Sequence, residues 1–357
     1  RAYADAVLAE LDQRAARLPS GPLRSVYFGG GTPSLWDPAE LGRVLRAVLG
    51  RYPGASPEVT VECNPSSFDE DRGAALRDQG VNRVSLGVQG LDASRLAFLG
   101  RLHDADGALR ALRAALAAGF RRVSGDLIFG LPGQTPEEAA AEAATLADVG
   151  VTHLSAYALT IEPGTRFGEL ARKGRLPLAP DGAVAESFLA VREALAARGF
   201  EHYEVSSYAR PGERSRHNVG YWTGLDYLGV GAGAYGTVTL SRGRVRTRTT
   251  PAVDRYTASS GAWATTDPYA EGPLVASLEE LSPAALLSER IMLGLRLAEG
   301  LDLDAAGREL GLDPWTPERR RAVARLSDRG RLVAEGGRLR VPVEATLLAD
   351  GTIAELI

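Results

Sequence analysis

The sequence predicts an α/β fold: a partial (β/α)6-type barrel followed by a small C-terminal winged-helix-like domain. Three observations predict it. Between Arg24 and Tyr203, short apolar runs alternate with longer Ala/Leu/Arg-rich runs of helical period, the pattern of βα units on a parallel sheet. Several of the short runs end in polar or Gly-rich sequence, where barrels of this kind carry their active face. From Ser282 onward, helical runs give way to a Gly-turned hairpin, as in a winged-helix module.

In chain order, the strand candidates are Ser25–Phe28, Glu58–Glu62, Arg83–Val88, Arg122–Ile128, His153–Ala158 and Tyr203–Ser206. Helices are expected over Ala39–Arg51, Asp69–Gln79, Asp104–Ala118, Pro136–Val149 and Asp181–Arg198. No segment repeats its residues, which sets a solenoid aside. The barrel is expected over 1–240, a linker or excursion rich in Thr, Pro, Ser and Gly over 241–281, and the C-terminal domain over 282–357. Within the last, helices are read at Leu286–Ala298, Asp304–Leu310 and Pro317–Arg329, before the hairpin turned at Gly336-Gly337.

The 357 residues are 45% hydrophobic and 24% charged, a globular composition with length for one large and one smaller domain. A net charge of −4 leaves no overall basic field to draw the chain onto nucleic acid or an anionic membrane. Cys63 is the single cysteine, so no disulfide framework is expected, and no apolar run approaches the roughly 18 residues of a membrane span. A reducing cytoplasm fits best. The chain opens at Arg1, not Met, directly in a helical pattern, and an upstream segment is expected.

Gly29-Gly30-Gly31-Thr32-Pro33 follows the first strand. Consecutive glycines let a ligand approach the backbone, and their N–H groups with a Thr hydroxyl hold a carboxylate or phosphate, although a tight structural turn reads equally well. The GK[ST] ending of a P-loop is missing. Glu62 and Asp126 end apolar strands. Such a pair grips a ribose diol in a dry site, while either alone is more often a solvated carboxylate or cap. Gln89 stands where a barrel interior meets its mouth. Arg101 is either the partner of a ligand carboxylate or a helix-flanking surface residue, and His103 is read as a local cap or exposed residue. His217-Asn218-Val219-Gly220-Tyr221-Trp222 sets one of four histidines beside aromatic rings. Imidazole is a good iron ligand, and flat rings flank a flat macrocycle, yet a histidine among aromatics is commonly a hydrogen-bonded structural residue. The following Tyr227–Gly236 stretch has too much glycine for a helix and requires close packing or a close ligand. Cys63, without a partner, is read as a buried structural residue.

Together these motifs resemble the radical SAM proteins related to oxygen-independent coproporphyrinogen oxidase, and among them the HemW heme chaperones. Six segments carry the resemblance in order: YFGGGTPS at Tyr27–Ser34, ECNP at Glu62–Pro65, RVSLGVQ at Arg83–Gln89, DLIFGLPGQT at Asp126–Thr135, HNVGYW at His217–Trp222 and YLGVGAGAYG at Tyr227–Gly236. It implies a radical SAM barrel with a C-terminal HemW domain. It further implies that Gly30, Gly31 and Thr32 face the amino-acid end of S-adenosylmethionine and that Glu62, Gln89 and Asp126 hold its ribose and neighbouring atoms. Arg101 would then meet its carboxylate, and Ile128 and Ala158 would lie near the adenine. HNVGYW resembles an HNxxYW motif associated with heme, which makes His217, with Asn218, Tyr221 and Trp222, a heme-binding candidate.

The family's CxxxCxxC motif, which binds a [4Fe–4S] cluster, precedes the GGGTP strand and is not in this sequence, so cluster ligands are expected upstream of Arg1. The implied function is a heme chaperone that passes heme to acceptor proteins, with peripheral association at membranes that hold such acceptors and no nucleic-acid partner. The alternatives are an oxygen-independent coproporphyrinogen III oxidase and, remotely, a winged-helix regulator whose basic element is Pro317–Arg329.

Overall fold

The computed structural model describes residues 1–18, 21–52 and 56–357. The chain divides into two units. One comprises Tyr27–Trp36 and Glu58–Ser215, the other Arg1–Val26, Asp37–Pro57 and Arg216–Ile357.

A seven-stranded half-barrel sheet organises the first unit. Its strands are β1 (Ser25–Phe28), β2 (Glu58–Cys63), β3 (Arg83–Gln89), β4 (Arg122–Phe129), β5 (His153–Ala158), β6 (Glu201–Glu204) and β7 (Ser207–Ala209), in the order β1-β2-β3-β4-β5-β7-β6. β2 through β5 pair in parallel, and β7 lies antiparallel to both β5 and β6. The expected sixth strand, Tyr203–Ser206, straddles the turn between β6 and β7, because the polar Glu201 and His202 hid the true start. The helices begin where side chains cap them. Asp37, Asp69 and Asp104 each accept backbone N–H groups of the first turn, and Thr135 and Glu138 form a reciprocal capping box.

Alternation along the strands separates two faces. Val84, Leu86 and Val88 of β3 are fully buried, together with Val59, Val61, Val123, Leu127 and Leu154 of the neighbouring strands and Ala108, Leu112, Ala143 and Leu146 of the helices. The opposite face is polar. Near the strand starts Arg83 reaches Glu58 at 3.4 Å and the Glu213 carbonyl at 3.2 Å. His153 lies between Ser124 and Tyr203, 2.8 Å from each, and burial holds its pKa well below the usual histidine value, so it is neutral. Toward the strand ends the same face presents Ser85, Gly87, Gln89, Asp126 and Ile128.

In the second unit, β8 (Tyr235–Leu240), β9 (Gly243–Thr249) and β10 (Val275–Leu281) form an antiparallel sheet. Segment 241–281, expected as a linker or excursion, therefore carries two strands. Val245, Thr247 and Thr249 are buried while Arg244, Arg246 and Arg248 alternate with them, a strand pattern whose inward residues are mostly threonine. Glu10 is buried here with a complete set of donors: Arg14 Nε at 2.7 Å, Thr249 Oγ1 at 2.8 Å, Tyr256 Oη at 2.7 Å and the Gly231 N–H at 2.9 Å. That arrangement meets the cost of burying a carboxylate.

The C-terminal part has the winged-helix-like order expected. Helices Pro283–Gly294, Leu303–Leu310 and Pro317–Asp328 combine with β11 (Leu301–Asp302), β12 (Val333–Glu335) and β13 (Arg338–Arg340), in sheet order β11-β13-β12. Ile291, Leu295, Leu303, Leu326 and Leu339 fill its core. Of the arginines on the basic helix only Arg319 is buried, donating to the Leu356 carbonyl; the exposed Arg320 donates to that of Trp315, and the exposed Arg321 and Arg325 pair with Glu318 and Glu355. Arg319 and Arg325 thereby tie this helix to the chain's last residues, while Arg320 and Arg321 bond to neighbours close in sequence.

Candidate functional site

The ends of β1 to β4 build a polar cradle. Gly29, directly after β1, has no room for a side chain, since a Cβ there would stand 2.5 Å from the Tyr27 ring and 3.3 Å from the Glu62 carboxyl carbon. Gly30 and Gly31 adopt φ of 85° and 66° with open space where a Cβ would point. Only glycine takes such angles without strain, so the loop exposes bare backbone. Glu62 holds this loop in place: one carboxylate oxygen accepts the Tyr27 hydroxyl at 2.5 Å and the other the Gly30 N–H at 3.0 Å. Burial and the Glu62 charge push the Tyr27 phenol upward, so it stays protonated and remains a donor.

Asp126 stands on the same face of the sheet. The Ser85 hydroxyl bridges both of its oxygens at 3.1 Å, and Ser155, its register partner on β5, bonds it from the other side. Desolvation, more than the serines can offset, raises its pKa to about 6, with the Glu62 charge adding in the same direction. Gln89 ends β3 at a positive φ of 68°. Between Leu86 and Gln89, β3 advances three residues while β4 advances two, from Gly125 to Leu127, a one-residue bulge. The bulge carries the Gln89 amide back over Gly87, where a Cβ would lie 2.8 Å from Nε2. A non-glycine residue held in this region costs about 1 kcal/mol, and such outliers gather at ligand clamps.

The structure thus brings Gly30, Glu62, Gln89 and Asp126 to one strand-end face, with Gly31 beside them. Thr32 begins the short Pro33–Leu35 turn. Ile128 shares the Asp126 face, whereas Ala158 follows the opposite parity, in register with Phe129, and offers its backbone at the end of β5. Arg101 is exposed after the left-handed Gly100 and makes no hydrogen bond to Glu62 or Asp126 among the described residues. His103, expected as a local cap or exposed, is instead buried, with Nε2 2.8 Å from the Val88 carbonyl at the end of β3. Burial pushes the Cys63 thiol up to about 12, so it is an inert thiol, as expected. Sequence reading missed Tyr27, Ser85 and Ser155. Ser85 and Ser155 carry a signal, a period-two polar stripe on their strands: Ser85 stands two residues after Arg83, Ser155 two after His153.

In the other unit, Arg216–Trp222 is a seven-residue helix. His217 and Tyr221, four residues apart on one face, meet edge to face with ring centroids 4.8 Å apart, and the Tyr227 ring packs on Tyr221 at 4.5 Å. His217 and Asn218 are half-buried and Tyr221 is 38% exposed. Burial nonetheless pushes the Tyr221 phenol up to about 12. Trp222 projects from a different side, into a cavity it shares with Arg290 and Leu301.

Over 360 residues, 99% of this chain and 85% of the relative, the sequence is 37% identical to a protein of Mycobacterium tuberculosis named heme chaperone HemW. The chain belongs to the HemW family. Another HemW protein, from Escherichia coli, is 39% identical over 245 residues, 68% of this chain and 64% of that protein. Residues 2–146 match the model of the radical SAM superfamily and residues 281–348 that of the HemN C-terminal domain. The coproporphyrinogen III oxidase HemN of Escherichia coli has a similar fold, with a TM-score of 0.79 at 20% identity, over 99% of this chain and 82% of that one. The barrel and the C-terminal module are thus seen both in the chain's own geometry and in its relatives.

Proposed function

We propose that this HemW-family chain is a heme chaperone: it takes up heme at helix Arg216–Trp222 and hands it to acceptor proteins in the cytoplasm or at its membrane face. The observation that carries this reading is His217, half-exposed on a short helix and flanked by the Tyr221 and Tyr227 rings. A neutral imidazole ligates iron, and the aromatic edges provide apolar contact for a flat macrocycle. Because the helix is short and accessible, heme held there is open to an acceptor, as transfer demands.

The strand-end residues fit S-adenosylmethionine, judged by the open backbone at Gly30 and Gly31, the paired carboxylates and the strained Gln89. When bound, this molecule supplies a cationic sulfonium and an adenosyl group. Glu62, Gln89 and Asp126 hold its ribose and neighbouring atoms, Gly30, Gly31 and Thr32 face its amino-acid end, Arg101 pairs with its carboxylate, and Ile128 and Ala158 flank the adenine. Asp126 accepts a ribose hydroxyl more strongly as the carboxylate, so binding favours loss of its proton near or below pH 6. A [4Fe–4S] cluster, the superfamily's other cofactor, has no ligand set in this chain: Cys63 is the single cysteine, and among the described residues no group of three His, Cys, Asp or Glu side chains could hold a metal ion.

The test is a heme titration followed by absorption. One heme per chain, with a shifted Soret band that is lost or altered in His217→Ala, is expected. No shift, or the same shift in His217→Ala, would overturn the assignment.

A further inference from the structure

Helix Arg216–Trp222 ends in an unusual way. The Gly224 N–H bonds the Tyr221 carbonyl and the Leu225 N–H bonds the Gly220 carbonyl, both at 2.9 Å, with Gly224 left-handed at φ 66°, the Schellman geometry that closes a helix. Just past the helix, the Thr223 and Gly224 carbonyls are each taken by an arginine. Arg290, from helix Pro283–Gly294 of the C-terminal module, donates Nη1 to the Thr223 carbonyl, and Arg244 of β9 donates Nη2 to the Gly224 carbonyl at 2.7 Å. Glycine at 224 also leaves room for this approach, since a Cβ there would stand 3.0 Å from Arg290 Cδ and Nε. Two cations at a helix C-terminus complement its dipole.

Arg290 is itself held. Its Nη2 pairs with Glu309 of helix Leu303–Leu310 at 2.7 Å, and its side chain is only 17% exposed. Beside this pair, a cavity of about 220 Å³ bounded by Trp222, Arg290, Gly294, Leu297, Leu301 and Glu309 leaves the helix without close packing on that side. The Trp222 indole N–H, buried there, has no hydrogen-bond partner among the described residues. The guanidinium bonds thus grip the chain directly after the helix on the side where this cavity lies.

We infer that Arg290, anchored by Glu309, is a positioning residue for heme binding, through which the C-terminal module orients the helix that carries His217. This rests on the heme reading above. A residue that fixes a ligand's orientation typically contributes 10- to 100-fold in metal affinity.

The experiment compares ferric-heme titrations of the full chain with those of Arg290→Ala, Arg290→Lys, Glu309→Gln and, as control, the exposed Arg308→Ala, with circular dichroism to verify folding. Arg290→Ala is expected to bind heme about tenfold or more weaker, its Soret and visible bands moving toward those of His217→Ala. Lysine cannot bridge both partners as a fork and is expected to fall between, as is Glu309→Gln, while Arg308→Ala matches the parent chain. A folded Arg290→Ala with parental bands and affinity overturns the inference. Should Arg290→Ala not fold, parental bands in both Arg290→Lys and Glu309→Gln overturn it equally. A parent chain that takes up no heme overturns the heme reading, and this inference with it.

Discussion

The strand-end cradle and helix Arg216–Trp222 hold their ligand-facing groups by different means. In the cradle the sheet does the holding: Glu62, Gln89 and Asp126 project from strand ends whose spacing is fixed by the ladder, and each is bonded from the side or strained in its backbone. In the helix the His217 and Tyr221 rings pack on one another, and Arg244 and Arg290 grip the carbonyls just past its last turn. A preorganised cradle suits a molecule that is to stay, because the ordering cost is met on folding. A short, accessible helix suits one that is to be passed on. On the proposed reading, the difference teaches that retention and release would be built from separate kinds of structure.

That contrast can be broken by substitution. The largest effect is expected at Glu62, which fastens both the Tyr27 hydroxyl and the glycine loop: Glu62→Ala should weaken S-adenosylmethionine binding by roughly 100-fold or more, since it frees a loop held by two charge-assisted hydrogen bonds of about 1.5–3 kcal/mol each. Titration calorimetry reads this, and parental affinity would mean that the cradle is no binding site. Heme uptake by the same variant should be unchanged.

Asp126 comes next and sharpens the contrast through pH. Its folded pKa is raised to about 6, so the carboxylate's burial takes away stability as pH rises from the unfolded value near 4 to about 6, and that loss is complete above it. Asp126→Asn should therefore stabilise the chain at pH 7, by on the order of 1 kcal/mol, while it weakens S-adenosylmethionine binding. In the parent chain the same ionisation makes ligand affinity fall as pH drops below 6, by up to about tenfold per unit. Denaturant midpoints and calorimetry at pH 5 and 7.5 check both, and a flat affinity across that range would remove Asp126 from the contacts. His153, buried and neutral, acts with opposite sign: it takes stability away as pH falls below about 6.5.

The smallest effect is expected at Gln89. Gln89→Gly relieves the positive φ, so the unfolding midpoint should rise by the equivalent of about 0.5–1 kcal/mol, while ligand affinity falls severalfold as the amide is lost. A fall in stability would mean that the amide over Gly87 is structural.

Much of the barrel was legible because βα alternation and Asp or Thr caps are local signals: strands β2 to β5 and the helices between them lie close to their expected bounds. β9 was hidden because its inward residues are mostly threonine, β10 because only its end residues Val275 and Leu281 are buried, and β6 because polar residues alternate at its start. At the site, the motif residues could be read one by one, but Tyr27, Ser85 and Ser155 matter only through cross-strand register, which a linear reading does not contain. His103 was misjudged for the same reason, its partner being a carbonyl on β3. Arg290 stands 67 residues from the carbonyl it clamps, a pairing no local pattern reveals.

The most direct test of a carrier role is transfer itself: the heme-loaded chain is mixed with an apo-hemoprotein, separated from it, and the heme on each is quantified by its Soret band. Heme is expected to leave the loaded chain and appear stoichiometrically on the acceptor, with His217→Ala failing to carry it. Heme that stays on the chain, or passes equally well with His217→Ala, would contradict a carrier built on this helix.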